Sequence, residues 1–400
     1  MKWISDRLQK SARNRADPTA RFPDLWDTRT AAQERGWDYL EILPPSIQVS
    51  LGARAISDDF LRWVDNGPDL LRLHRDAHRG TAFGRSWAAQ LHSVHRYKVD
   101  KVFRCAIPNA IVVSDAGVVL TDRGELAREA FFNVECHPIR KSELPRESER
   151  SKPGRFISLL TSCGDRNLGH FFFDAMLRVA LFDSLSDYQF LVPSVLHPWH
   201  EGLIDAAGIK PHQLVRQQNP SVKVEELVVC HTAHQGYFPR RELFEKLRAT
   251  VLGNLAPSPS KPPFRRLFID RSLAKQRRLV NQKELEPILE DRGFELVRWE
   301  TLTILQQAAL ALEAEIIAGP HGTSLLNSAY CLPGAKLLEI INPNWWDTAT
   351  LRHSALMGHE YWYTFGENAS KDFGTKMDPR KFERVLDYML NAPLTDPPLV

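Results

Sequence analysis

The stretch Glu315–Asn327, EIIAGPHGTSLLN, decides how the rest of the chain is read. An apolar run ends at Gly319, the turn Pro320-His321-Gly322 follows, and a polar-then-apolar segment begins at Thr323. A short run rich in Ile and bounded by Gly and Pro has the make-up of a buried strand. Thr323 then opens a short helix. This order places the backbone N–H groups of Gly322, Thr323 and Ser324 at a helix N-terminus, which carries about half a positive charge. Two readings stand. His321 caps an ordinary turn, or it donates to a phosphate held in the corner.

The same alternation extends in both directions. Arg266–Ile269 (RLFI) reads as a buried strand. Asn281–Phe294 reads as a helix, with Asn281 and Glu284 as a capping box, Gly293 as its stop and Pro287 as a kink or a late start. Phe294–Trp299 is the next strand, and Thr303 with Gln306 opens a second boxed helix. Ala335–Ile341 is a further strand. Strands alternating with helices predict a parallel, doubly wound sheet, whose ligands bind at the carboxyl ends of the strands. His321 stands at one of those ends.

Upstream the alternation is looser. Arg155–Thr161 and Tyr188–Pro193 read as strands around the helix Gly169–Phe182, with a helix at Trp199–Gly208 and a strand at Val222–Cys230. Ala110–Leu126 reads as a hairpin or meander that turns at Gly117 and Gly124. The Pro-rich stretch Ala256–Pro263 reads as a linker. The expected domains are an accessory cap (1–95), a first Rossmann-like domain (96–255), the linker (256–263), a second Rossmann-like domain (264–370) and a C-terminal helix and tail (371–400). The fold class expected is α/β, with a deep cleft between two doubly wound, Rossmann-like halves. The last helix is expected to pack back across the first domain.

Composition narrows the function. The 400 residues carry a net charge of +3, with 43% hydrophobic and 25% charged residues, as in an ordinary globular protein without a nucleic-acid footprint. The five Cys form no CxxC pair, which predicts reduced thiols and a cytoplasmic protein rather than a zinc site or a disulfide framework. The N-terminus lacks an apolar core of signal-peptide type, and no segment is long and apolar enough to span a bilayer. The basic start with Trp3, Phe22 and Trp26 fits a tail or a peripheral contact with an anionic membrane at the inner face of the plasma membrane. GxGxxG, Walker, HExxH, GxSxG and clear DxD motifs are all missing, against dehydrogenase, NTPase, metalloprotease and hydrolase chemistry.

Several side chains suit an anionic ligand. Arg271 follows the strand Arg266–Ile269, placed to fork onto a diphosphate or to pair with a surface carboxylate such as Asp270. Lys275, Arg277 and Arg278 add charge nearby. Glu339 ends a strand, open to ribose hydroxyls or simply to solvent, and Asn327 follows His321 within the helix. In NLGHFFFDAMLR, His170, Asp174 and Arg178 recur every four residues. On a regular helix they share one face, so Asp174 orients His170 as a general base, or the three form a structural ladder.

Taken in order, these residues resemble glycosyltransferase family 61, which includes plant xylosyl- and arabinosyltransferases and bacterial capsular polysaccharide proteins. The resemblance runs over roughly residues 100–370. It rests on Arg271, Arg278 or Arg277, Asn281, Gly293-Phe294-Glu295, Gln306 or Gln307, Gly319–Gly322, Asn327 and Glu339, and on Asn167, His170, Asp174 and Arg178 upstream. Gln282, Thr323-Ser324, Phe171 and Ala175-Met176-Leu177 depart from the family's usual residues. The resemblance implies a GT-B fold and inverting transfer from a nucleotide sugar, expected to be UDP-linked, to a glycan or lipid-linked glycan, with no cofactor and no metal. It assigns catalysis to His170 or Asp174. Donor binding falls to Arg271, Arg278, Asn281, His321, Gly322, Thr323, Asn327 and Glu339. A non-catalytic nucleotide-sugar-binding or assembly protein on the same fold is the alternative.

Overall fold

A computed structural model describes residues 24–25, 27–49, 96–130, 139–145, 150–232, 240–255, 262–345, 347 and 349–391. Trp3, Phe22, Trp26, Cys136, most of the expected cap and Ala256–Lys261 of the expected linker lie outside them. The described residues up to Ser46 and from Val99 to Thr250 form one compact unit. Those of Ile47–Lys98 and from Val251 onward form another.

The first unit is built on a ten-stranded mixed sheet. In chain order its strands are β1 (Asp24–Leu25), β2 (Tyr39–Leu43), β3 (Val102–Pro108), β4 (Ile111–Val113), β5 (Val118–Leu120), β6 (Leu126–Ala127), β7 (Lys152–Ser158), β8 (Gln189–Val192), β9 (Leu214–Arg216) and β10 (Ser221–His231). β10, β7, β8 and β9 form a parallel layer, and at the far edge the short β1 lies parallel to β6. The long β10 also pairs antiparallel with β4 through its first residues and with β3 through its last, and β4–β6 continue as a meander. The expected doubly wound first half therefore holds for four strands, and an antiparallel arm replaces the rest. Gly117 and Gly124 make the meander's turns with φ of +70° and +73°. β1 and β2 pair with β6 and β3, so part of the expected cap belongs to this sheet. Phe103, Ile107, Phe156, Leu191 and Val224 meet in its core.

The helix after β7 is irregular. Asn167 caps it, its side chain accepting from the N–H groups of Gly169 and His170. One α turn (Leu168–His170) gives way to a π turn (Phe171–Ala175) and then to a 3₁₀ segment (Met176–Leu181). Phe173 stacks on Phe244 and Phe172 meets it edge-on, so the aromatic run is core.

The second unit carries a wholly parallel sheet of β11 (Arg265–Ile269), β12 (Phe294–Val297), β13 (Ala314–Pro320), β14 (Lys336–Ile341) and β15 (Glu360–Phe365), in the order β12-β11-β13-β14-β15. Every residue of β14 is buried, as expected where helices cover both faces. Crossovers of the usual hand place α1 (Gln282–Asp291) on the face opposite α2 (Ile304–Leu312). α2, the 3₁₀ segment Thr323–Tyr330 and α3 (Ala349–Met357) pack in a row. α4 (Pro379–Asn391) packs on α1 and β15. Lys336 Nζ donates to the Met389 carbonyl at 2.7 Å, and Arg292 reaches Asp387 and Glu383. Within its own unit the last helix thus covers α1 and β15.

Two capping expectations divide. The Thr303–Gln306 box forms in both directions. The Asn281–Glu284 box does not, because the Asn281 amide is drawn to the backbone of Met377, donating to its carbonyl at 2.8 Å and accepting from its N–H at 3.0 Å. α1 nevertheless starts at Gln282 and runs through Pro287, and Gly293 closes it with φ of +70°.

Candidate active site

The strand order reverses direction between β11 and β13, the point at which open parallel sheets bind their ligands. Two glycines make that corner. A Cβ on Gly319 would lie 2.7 Å from the Ile269 Cβ, so the two strands meet closely there. Gly322 has φ of +155°, and a Cβ on it would lie 2.6 Å from Arg271 Nη1. The 3₁₀ segment that follows begins on that glycine, and no side chain caps it.

Arg271 leaves the end of β11 and is 8% exposed. Nη1 donates to Ser324 Oγ at 3.0 Å, and Nη2 reaches the Gln276 carbonyl at 3.4 Å. Its Nε is buried with no hydrogen-bond partner, and no carboxylate among the described residues pairs with it. Asp270, the pairing alternative, instead accepts from Arg298 Nε at 2.6 Å. Burial and the neighbouring Arg277, opposed by a smaller pull from Glu300, push the Arg271 pKa down to about 10, which leaves it charged at neutral pH. A buried cation with no carboxylate in contact is costly unless something anionic joins it.

His321 follows β13. Its Nδ1 lies 2.6 Å from Glu339 Oε1, and its Nε2 lies 3.6 Å from Asp347 Oδ2. Burial alone would lower its pKa, but the two carboxylates reverse that and raise it to about 9. The ring is therefore an imidazolium at neutral pH. The sheet register makes the Glu339 contact: Gly319 pairs with Glu339, and the His321 N–H donates to the Ile340 carbonyl. Asp347 also caps α3, accepting from the Ala349 N–H at 2.8 Å.

The sequence-derived set separates here. Arg271, Gly322, His321 and Ser324 come together. Asn327 lies on the 3₁₀ segment that starts at this corner, buried, with its Nδ2 lacking a hydrogen-bond partner. Thr323 is the first residue of that segment, half-buried. Glu339 is not open to a ribose. It is fully buried, Oε1 takes His321 and Thr350, and Oε2 accepts from the Tyr361 hydroxyl. Asn281 is spent on the Met377 backbone and on Glu284, to whose carboxylate its Nδ2 donates at 3.1 Å. Arg278 is half-exposed and turns to Asp372 at 3.5 Å. Its neighbour Arg277 is the one that bears electrostatically on both Arg271 and Asp347. Sequence reasoning missed Asp347, Thr350 and Tyr361. Only Asp347, standing just before a helix, left a local signal, that of an N-cap.

The first unit places His170 and Asp174 as expected, with Nδ1 2.7 Å from Oδ2. Asp174 is buried and His170 half-buried. Arg178 does not complete the ladder. The wide π turn and tight 3₁₀ turns change the angular step, and Arg178 Nη1 instead donates to the Ser158 and Leu160 carbonyls at 2.6 and 2.9 Å. It thereby pins the end of β7, from which the loop to His170 departs. That loop is also held by His200, whose Nε2 donates to the Gly164 carbonyl at 2.9 Å while its Nδ1 accepts from the His197 N–H.

Residues 168–338 match the family model described as Glycosyltransferase 61. The chain carries a glycosyltransferase family 61 domain. The match begins at the His170 helix in the first unit and ends one residue before Glu339 in the second. No curated protein matches the chain. As a glycosyltransferase it takes a sugar donor and a glycan acceptor, and its corner of buried positive charge has the chemistry to hold an anionic leaving group. No helix among the described residues is long and apolar enough to cross a membrane.

Proposed function

We propose that this glycosyltransferase moves a sugar from a nucleotide sugar, UDP-linked in the first instance, to a hydroxyl of a glycan or lipid-linked glycan, with inversion at the anomeric carbon. The observation that carries the reading is Arg271, a buried guanidinium with no carboxylate partner, beside His321 held as a cation. These two, with Arg277, take the diphosphate. Asn327 and the N–H groups opening the 3₁₀ segment add donors. Glu339 acts through His321 rather than on the ribose. His170 is the base, with Asp174 fixing its tautomer so that Nε2 accepts. The acceptor oxygen attacks the anomeric carbon, the bond from that carbon to the diphosphate oxygen breaks, and the acceptor proton passes to His170. Positive groups at the corner stabilise the departing diphosphate. A role in surface or capsular polysaccharide synthesis at the cytoplasmic face of the membrane fits this donor chemistry.

A panel of UDP- and GDP-sugars tests the reading, with released nucleotide and product anomer measured by NMR. Arg271→Ala and His321→Ala each weaken nucleoside-diphosphate binding by calorimetry. His170→Ala abolishes transfer and spares that binding. Unchanged affinity in both corner variants would sink the assignment.

A further inference from the structure

We propose that Trp345 and Phe373 form the platform on which the donor's nucleobase stacks, with Arg277 as its cationic edge. The inference rests on the nucleotide-sugar reading above and adds the part of the ligand that the diphosphate corner does not explain. The two rings pack with centroids 5.3 Å apart at 33°, and the Arg277 guanidinium stands over the Trp345 ring, 6.0 Å from its centroid. Both rings are half-buried.

Their placement ties them to the corner. Trp345 follows the carboxyl end of β14. Asp347, two residues on, lies 3.6 Å from His321 Nε2. The Arg277 charge acts on both Arg271 and Asp347. A ligand with its diphosphate on Arg271 and His321 thus has an aromatic surface beside it along the same sheet end.

The platform is held with care. Asn342, 1% exposed, anchors both ring-bearing segments. Its carbonyl accepts from the Trp345 N–H at 3.1 Å and its Oδ1 from the Asn344 N–H at 2.9 Å. Its Nδ2 donates to the carbonyls of Phe373 and Gly374 at 3.0 and 3.1 Å. Arg277 and Phe373 both hold left-handed backbone, φ +58° and +60°, which non-glycine residues adopt only when their surroundings demand it. The Arg277 N–H donates to the Asp372 carbonyl, so the two strained residues fix each other's segments. Flat rings with a neighbouring guanidinium suit a heterocycle, since every base offers a π face. Stacking of this kind is tolerant of base identity, so the platform favours a nucleotide over a bare diphosphate without choosing uracil over guanine.

Calorimetry with UDP, GDP and inorganic pyrophosphate as probes separates the two parts of the site. Trp345→Ala and Phe373→Ala each weaken the better nucleotide about tenfold or more and leave pyrophosphate affinity unchanged. Trp345→Phe, checked for an unchanged melting temperature, retains most of the nucleotide affinity. Arg271→Ala weakens all three ligands. The inference is overturned if Trp345→Ala leaves nucleotide affinity intact, or lowers pyrophosphate affinity equally. If the unaltered protein binds pyrophosphate but neither nucleotide, the platform falls and the anion corner stands. If it binds none of the three, the nucleotide-sugar reading fails and takes the platform with it.

Discussion

A histidine wedged between two carboxylates is a different acid from a histidine in an open turn. In the sequence His321 stands alone between Pro320 and Gly322. In the fold, Glu339 and Asp347 hold its proton, raising the pKa to about 9. An imidazolium that binds a diphosphate should keep its affinity until the pH approaches 9 and lose it above. Glu339→Gln keeps a hydrogen-bonding side chain but removes the charge, so the decline should begin at lower pH. Calorimetric titration of UDP from pH 6 to 9.5 reads the shift directly, and a midpoint unmoved by Glu339→Gln would exclude this coupling. Arg178 makes the opposite kind of claim. Its guanidinium is spent on the Ser158 and Leu160 carbonyls. Arg178→Met should therefore cost roughly 2–4 kcal/mol of stability in urea unfolding, by leaving two buried acceptors unpaired. It should leave nucleotide affinity in the second unit unchanged.

At the scale of the elements, the corner depends on glycines for two separate reasons. Gly319 lets β11 and β13 meet, and its added Cβ would press on the branched carbon of Ile269, which has no freedom to move. Gly319→Ala should destabilise by about 1–3 kcal/mol. Gly322 faces the far end of the flexible Arg271 side chain. Gly322→Ala should displace the guanidinium and weaken nucleotide binding more than it lowers the melting temperature. Paired melting and calorimetry distinguish the two, and equal effects on both measurements would refute the division. The strands, the Thr303 cap and the strand–turn–helix at His321 were legible in the sequence because each is written in residues close together. The roles of Glu339 and Asn281 were not. Their partners Tyr361 and Met377 lie 22 and 96 residues away, and no local pattern announces them. The ladder to Arg178 failed because spacing predicts a face only if the helix keeps its pitch, and here it does not. In the first unit, the antiparallel arm on β10 was legible as a hairpin, but nothing local told that it would share the parallel strands' sheet.

Across the whole molecule, two buried histidines set the limits of stability from opposite sides. His200 is fully buried and neutral, and burial pushes its pKa down to about 4 from an ordinary 6.5. Below pH 6.5 the unfolded chain takes up a proton that the folded first unit refuses. Stability should therefore fall from pH 6.5 toward 4 and level off below, by about 3 kcal/mol in all. His321 works in reverse. Its raised pKa means that the folded second unit binds a proton which the unfolded chain has released above 6.5, so its contribution is full below 6.5 and is lost as the pH rises through about 9. Scanning calorimetry at pH 5, 7 and 9.5 should find the protein most stable near the middle value. Carboxylates such as Glu125, held low by its bond to Arg35, add their own acid loss at lower pH, so the histidine terms are read from variants. His200→Gln should flatten the slope between pH 6.5 and 4, and His321→Gln the slope up to 9. If each substitution lowers the melting temperature equally at all three pH values, neither histidine carries the proton linkage assigned to it.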